Sequence, residues 1–441
     1  MVRNSFYECD ICHTKLLIRY QVGRIDIPVE IYCPHCNTRI YGNISIENEE
    51  GIKENINNAS YIEIELNECD YIAELSTEFL SDKIIPYTSD YVPISPFLKS
   101  NPFDTDQVAS TQNGISLVAE SKNICNLINV IFNLLRNNNY KYVRSFIEKT
   151  EGNYISEFKK NHSTTLIKNQ LDALMYCKEL MYTFMLRSLP YGKKDLIQNT
   201  LNFIGSMQNN MKPEFKKLIK YFNENHLFDG FLSKMPSLIE KYFSLFRQLA
   251  PVYNCYKNFE DIDQKEKGIT TLNIEDLHDF YVDAYEAIIE NSDILFALDN
   301  IKKRFSFNNF GKGIQDFKKE ILSYGTKFNK YTKMLELSHE FAKDFDGIFN
   351  NIVRNSNAHN SVKINGLEQT ITFIDKYNGR ERQLDMTFLD FGKNCVDIYV
   401  SLLVLWEYYY TVIKYKYLLI DKLHPNFAHI SHFQYRLNKQ I

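Results

Sequence analysis

The chain has 441 residues, 44% of them hydrophobic and 24% charged, with a formal net charge of −4. That is the composition of a globular protein with real cores, not of a disordered chain, and the length gives room for roughly two to four domains. The near-neutral total hides an asymmetry: Lys141 to Lys220 holds 14 Lys and Arg against 7 Asp and Glu, a local +7 that leaves −11 elsewhere. Such a stretch fits either an anionic partner or a solvated helix face. The nine cysteines are an odd number, four of them in two tight pairs, and the opening MVRNSFYECDIC lacks the apolar core of a signal peptide. A reducing cytoplasm is the expected compartment.

Residues 1–45 form the first predicted unit. Cys9-Asp-Ile-Cys12 and Cys33-Pro-His-Cys36 are separated by twenty residues. Two C-x-x-C knuckles at this distance offer four thiolates, which Zn²⁺ takes as a tetrahedron. The intervening KLLIRYQV and IDIPVEIY are expected to pair as strands, completing a zinc ribbon. His13 and His35 fall one residue off the ligand positions. So small a unit cannot bury enough surface to fold unaided, and a closed four-thiolate shell leaves no open position for catalysis. Cys9, Cys12, Cys33 and Cys36 therefore predict a structural zinc. With five Lys and Arg against four Asp and Glu in Met1 to Gly42, the ribbon is not basic, and structure or docking is preferred to nucleic-acid binding.

Residues 46–112 read as mixed strand and loop. SYIEIEL (Ser60 to Leu66) alternates like a strand, and PYTSDYVPISPF (Pro86 to Phe97) carries three prolines and cannot be a regular helix. KSNPFDTDQVASTQNG (Lys99 to Gly114) reads as a linker. Residues 113–257 read as a basic helical middle domain, NFEDIDQKEKGITT (Asn258 to Thr271) as a second boundary, and residues 271–441 as a C-terminal helical domain. No internal repeat is evident. The expected class is mostly α-helical α+β.

Within the last domain, Asn365-Gly366 and Asn378-Gly379 lie between alternating segments. Each pair supplies the two positive φ values of a type I′ turn, which predicts a β-hairpin insertion at 361–386. Thr387 and Asp390 then form a T-x-x-D capping pattern before a long apolar helix. Its stretch from Val396 to Lys416 is interrupted by Asp397, Glu407, Lys414 and Lys416, so it is read as a buried helix and not as a membrane span.

Upstream, Phe341, Phe345, Ile348 and Ile352 recur at steps of four, three and four, the stripe of an amphipathic helix. The next stripe positions are Asn355 and His359. On one continuous helix Arg354 would lie about 140° from His359. Either the helix opens at NSNA, or two copies of the segment come together. Asn and Ser also simply end helices, and Arg suits a last turn.

Arg354-Asn355 followed by Ala358-His359 resembles the signature of the HEPN superfamily of helical domains: Arg, four to six residues, then His, often with Asn, Asp or His directly after the Arg. The resemblance spans Thr271 to Leu423, about a third of the chain. The hairpin also resembles that of bacterial HEPN-type proteins of abortive infection and phage defence. What the resemblance implies is a C-terminal HEPN-like bundle and metal-independent endoribonuclease activity, in a cleft shared by two protomers. RNA, a second copy bound through the C-terminal domain and a partner protein of a defence system are the implied partners, and a toxin-like effector is the implied role. The chemistry suits the residues. His359 would take the proton of a 2′-hydroxyl, Arg354 would neutralise the attacked phosphate, and Asn355 would orient the phosphate or the imidazole. No acidic cluster of two-metal type lies near the motif. The alternative is a non-catalytic binding or scaffold protein, whose HEPN-like domain only dimerises or docks and whose ribbon contacts nucleic acid or a partner. His424, His429 and His432 near the C-terminus read as part of a basic tail.

Overall fold

The computed structural model describes residues 2–23, 25–47, 51–99, 121–185, 189, 194–311, 313–356, 362–377 and 379–426. Its first part is built from short strands: β1 (Val2–Cys9), β2 (Lys15–Gln21), β3 (Ile27–Tyr32), β4 (Arg39–Glu47), β5 (Gly51–Asn57), β6 (Ala59–Ile62), β7 (Tyr71–Ser76), β8 (Ser81–Asp82) and β9 (Ile85–Pro86). One sheet runs β6-β1-β2-β7-β9 and another β3-β4-β5. The expected pairing of KLLIRYQV with IDIPVEIY does not form. β2 lies between β1 and β7, antiparallel to the first and parallel to the second, while β3 pairs with β4. The reason is local: each C-x-x-C knuckle is the turn of its own hairpin, so the strands flanking a knuckle meet first. β2 is buried on both faces, as a central strand should be. Glu54 of β5 ties the two sheets together by accepting from Ser5, Tyr7 and Tyr20 at 2.7, 2.6 and 2.6 Å.

Next come α1 (Pro96–Lys99), α2 (Ser121–Arg136), α3 (Lys141–Lys149), α4 (Asn153–Asn161), α5 (Gln170–Met185), α6 (Lys194–Asn210), α7 (Lys212–Glu224) and α8 (Leu227–Cys255). The short β10 (Lys267–Gly268) pairs with β8, so the segment after α8 is stitched to the N-terminal strands. The second helical series is α9 (Ile274–Glu290), α10 (Asp293–Arg304), α11 (Phe317–Ser323), α12 (Lys327–Leu335), α13 (His339–Ala342), α14 (Asn351–Ser356) and, after the strands β11 (Val362–Asn365), β12 (Thr370–Tyr377) and β13 (Arg380–Thr387), α15 (Phe388–Leu419). The structure is α+β with helices predominating. Both helical series contribute to one continuous apolar core, in which α15 packs against α5 to α9.

Three of the four charges that interrupt α15 have partners. Asp397 accepts from Tyr256 and, at 2.8 Å, from Lys393. Glu407 pairs with Lys178 of α5, and Lys416 reaches Asp421 at 3.0 Å. No helix among the described residues is long and apolar enough to cross a membrane. The start of α15 follows its sequence: Thr387 Oγ1 accepts from the Asp390 amide at 3.0 Å and donates to the Asp390 carboxylate at 2.8 Å.

The apolar stripe before Arg354 does not lie on one helix. α13 ends at Ala342, turns occupy the residues around Gly347, and α14 begins at Asn351. Gly347 has φ 72°, a left-handed conformation that an L side chain resists. Asn350 restarts the helix, its side-chain oxygen accepting from the Ile352 amide at 2.9 Å. The register shifts across this break, so Phe341, Phe345, Phe349 and Val353 are buried while Ile348 and Ile352 are only half-buried. The stripe that was counted forward to Asn355 and His359 is therefore not the stripe of one helix; Arg354 and Asn355 lie on α14, and His359 lies outside the described residues.

The two Asn-Gly pairs also behave differently. Tyr377 pairs directly with Arg380 across a two-residue turn in which Gly379 has φ 76°. Asn378 lies outside the described residues. The first turn is longer: Asn365 pairs with Thr370, and Gln369, not Gly366, takes the positive φ, at 51°. Gly366 is needed for another reason. A Cβ there would come within 2.1 Å of Tyr32 Cβ, so the turn packs directly on the strand leading to the second knuckle.

Candidate functional site

The four knuckle cysteines converge, their sulfur atoms all within 4.8 Å of one another. Cys9 Sγ lies 3.7 Å from Cys36 Sγ, and Cys12 Sγ lies 3.4 Å from Cys33 Sγ. A tetrahedral ion with metal–sulfur bonds of about 2.3 Å needs sulfur separations of about 3.8 Å, so the set is close to ligating geometry. The two knuckles are built alike. In each, the residue after the second cysteine is left-handed, His13 at φ 61° and Asn37 at φ 58°. Its amide donates to the first cysteine's carbonyl, at 2.9 Å for His13 and 2.8 Å for Asn37. A threonine hydroxyl then sits beside the second sulfur, Thr14 at 3.2 Å from Cys12 and Thr38 at 3.1 Å from Cys36. Residues 9–15, CDICHTK, and 33–39, CPHCNTR, thus form a seven-residue structural repeat. The shared C-x-x-C-x-T spacing was its signal in the sequence, too short to stand out without the geometry.

Burial pushes the Cys33 thiol up to about 12. At Cys36 burial also raises the thiol, but the hydroxyl and amide of Thr38, then Cys12 and Cys33, outweigh it and draw the group down to about 6. Any ion taken by all four sulfurs must displace protons, so its binding weakens in acid. His13 bonds Glu8 at 2.9 Å and is not part of the cluster.

The second knuckle holds the β11–β13 sheet. The Asn37 side chain donates to the Ile364 carbonyl at 2.7 Å and accepts from the Gly366 amide at 3.0 Å. At the sheet's other end, Asp375 of β12 accepts from the Asn355 amide at 3.2 Å and pairs with Arg382 of β13. The second cysteine knuckle and Arg354-Asn355 are thus attached to opposite ends of one small sheet.

Arg354 is fixed on two sides. Its Nε donates to Glu286 of α9 at 2.6 Å and its Nη1 to the Asn355 side-chain oxygen at 2.9 Å. Its Nη2 has no hydrogen-bond partner among the described residues, and the side chain is 31% exposed. Lys327 of α12 also pairs with Glu286. Burial, followed by the charges of Arg354, Lys234 and Lys330, lowers the Lys327 ammonium. The structure thus brings Arg354 and Asn355 together. His359 lies outside the described residues, as do His429 and His432.

A histidine that sequence reasoning missed lies beneath Arg354. His278 of α9 is only 4% exposed and packs against Phe373 and Phe391. Its Nε2 is 2.6 Å from the Val353 carbonyl. A carbonyl only accepts, so Nε2 carries the proton. Ser356 donates to the same carbonyl at 2.8 Å, so α14 is anchored just below Arg354 and Asn355. The signal was a histidine on the apolar face of α9, between Ile274 and Tyr281, where it reads as core. Burial lowers the His278 pKa from 6.5. Below about pH 6.5 the unfolded chain binds a proton that the folded protein refuses, so this contribution to stability is present above that pH and lost as pH falls. The urea midpoint is expected to fall as pH is lowered from about 6.5 to 5, and His278→Gln, which retains a donor for Val353, should remove that part of the slope.

A cavity of 280 Å³ lies among the ends of α2, α7, α8 and α15; none of its lining residues belongs to either cluster. No family model matches the chain, and no curated protein or solved structure is found similar to it.

Proposed function

We propose that the protein is a metal-independent endoribonuclease of HEPN type, with a structural zinc ion in its N-terminal module. Zinc is the ion best suited to four thiolates in a closed tetrahedron. It would hold the two knuckles and, through Asn37, the sheet that supports Asn355. It would take no part in the reaction.

The observation that carries the nuclease reading is the posture of Arg354. A guanidinium held on Nε and Nη1, with Nη2 unpartnered among the described residues, is arranged in advance to donate to an anion. In the reaction the 2′-oxygen of RNA bonds to the adjacent phosphorus as its proton passes to His359. The 5′-oxygen leaves and takes a proton from solvent. The products are a 2′,3′-cyclic phosphate and a 5′-hydroxyl. Arg354 neutralises the charge gathered on the phosphate. Asn355 has a narrower role than the sequence implied: its oxygen accepts from Arg354 and its amide donates to Asp375, so it orients the arginine.

Arg354→Ala or His359→Ala is expected to lower the cleavage rate by about 10²–10³-fold or more while the fold survives. A folded His359→Ala protein that cleaves RNA at the wild-type rate would overturn the assignment. One observation favours a second reading, a non-catalytic RNA-binding or scaffold protein: Glu286 already neutralises Arg354 at 2.6 Å. RNA binding that depends on Arg354, without cleavage, would select that reading. A toxin-like role in phage defence belongs to the nuclease reading and falls with it.

A further inference from the structure

The β-hairpin does more than support Asn355. In β12 and β13 the residues directly opposite one another include Ile371 and Met386, Phe373 and Leu384, and Asp375 and Arg382. All six share one face of the sheet, because alternate residues point the same way. The first two pairs are apolar and pack inward; Phe373 meets His278 and Phe391. The third position on this inward face breaks the pattern. Asp375 is 2% exposed, whereas Arg382 above it remains 34% exposed. Nothing in the packing asks for a charge there, and a buried ion pair by itself adds little to stability.

The pair does something else. Asp375 also accepts from Asn355, which accepts from Arg354. Two half-exposed guanidiniums are thus linked through one amide and one buried carboxylate, on the same side of the sheet. Lys327 adds a third cation through Glu286. Around this edge the three cations meet three carboxylates, Glu286, Asp375 and, 2.8 Å from Lys327, Glu290; Glu286 and Asp375, which hold the two arginines, are less exposed than those arginines. At both arginines the guanidinium is the more exposed partner of its pair. A single arginine suits one phosphate; two, fixed relative to one another, suit a chain of phosphates.

We infer that Arg382 is a second backbone-binding residue, which contacts a phosphate of the RNA next to the one held by Arg354, so that the hairpin forms one wall of the substrate path. This rests on the reading of the Arg354 site as an RNA site. It adds that the strand crosses the β12–β13 edge, and Arg382 has a positioning role there, not a catalytic one.

The test is binding of a short 2′-O-methyl oligoribonucleotide, which lacks the attacking hydroxyl and is not cleaved. Affinity is measured by fluorescence anisotropy over a range of salt concentrations. Arg382→Gln removes the charge but keeps a donor for Asp375. It is expected to weaken binding about tenfold and to lower the slope of log affinity against log salt by about 0.7, the value for one phosphate contact on a single strand. Arg382→Lys should keep the wild-type slope. A folded Arg382→Gln protein with wild-type affinity and slope would overturn the inference and leave the nuclease reading to its own cleavage assay. Should Arg382→Gln fail to fold, modification of wild-type Arg382 by phenylglyoxal decides: protection by the oligonucleotide supports the contact, and equal modification with and without it overturns it. A wild-type protein that does not bind the oligonucleotide overturns the inference as well.

Discussion

Replacing Cys33 by serine is expected to remove the bound metal and to unfold the two N-terminal sheets. Each knuckle is the turn of a hairpin, and the four sulfurs meet where the two hairpins join. A structural zinc site contributes about 10–16 kcal/mol of binding free energy near neutral pH in small zinc peptides, and most of that is folding free energy. The apolar cluster around Leu16, Ile18, Val29 and Ile40 is small, and Glu54 is the main polar tie between the sheets. Metal content should fall from one zinc per wild-type chain to none in Cys33→Ser, and the variant should become protease-sensitive before residue 100. The large helical core should keep most of its helical circular dichroism. Because Asn37 holds the turn at Gly366, the effect should reach the β11–β13 sheet, and Asn37→Ala should loosen the same turn without loss of metal. A Cys33→Ser chain that still carries zinc would remove the four-thiolate site from the account.

Glu407→Ala should destabilise the helical core by about 3–5 kcal/mol, the usual result of stripping one partner from a buried pair. Lys178 is 3% exposed and Glu407 0%. Tyr182, Tyr410 and Trp406 surround the ammonium, with its nitrogen 3.7, 4.4 and 5.6 Å from their ring centres. Burial already lowers the Lys178 pKa well below its ordinary value. Without the carboxylate, the folded protein must hold an uncompensated charge or a neutral amine. In the second case stability rises with pH until the unfolded lysine also loses its proton, near its ordinary 10.5. The variant's urea midpoint should therefore recover in alkali. Lys178→Met combined with Glu407→Leu should lie closer to wild type than Glu407→Ala, since no charge is left stranded. A loss below about 1 kcal/mol in Glu407→Ala would mean that the pair carries no such strain.

The parts of the fold that the sequence made legible are those governed by short-range rules. The cysteine spacing located the four sulfurs, Thr387 capped the last helix, and the charges within Val396 to Lys416 marked a buried helix. The misreadings have equally specific causes. Apolar residues at steps of three and four satisfy two short helices as well as one long one, and Gly347 alone does not announce which. β2 pairs in parallel with β7, some fifty residues away, and no local pattern reports a partner at that distance. Asn365-Gly366 has the composition of a tight turn, but its glycine is required by Tyr32, a contact from another part of the chain. At the candidate site, Arg354 and Asn355 were legible from their motif. Glu286, His278, Asp375 and Arg382 were not, because helix α9 and the hairpin bring them there from sequence positions with no shared signature.

Metal-independent RNA cleavage at Arg354 and His359 is the proposed activity. Its most direct test is to incubate the purified chain with end-labelled RNA in EDTA, without added divalent ion, and to identify the new ends. The expected ends are 2′,3′-cyclic phosphates paired with 5′-hydroxyls, formed by the wild-type chain and absent with folded Arg354→Ala and His359→Ala chains. No cleavage by the wild type, cleavage that requires Mg²⁺ and leaves 5′-phosphates, or cleavage that persists in either variant would contradict it.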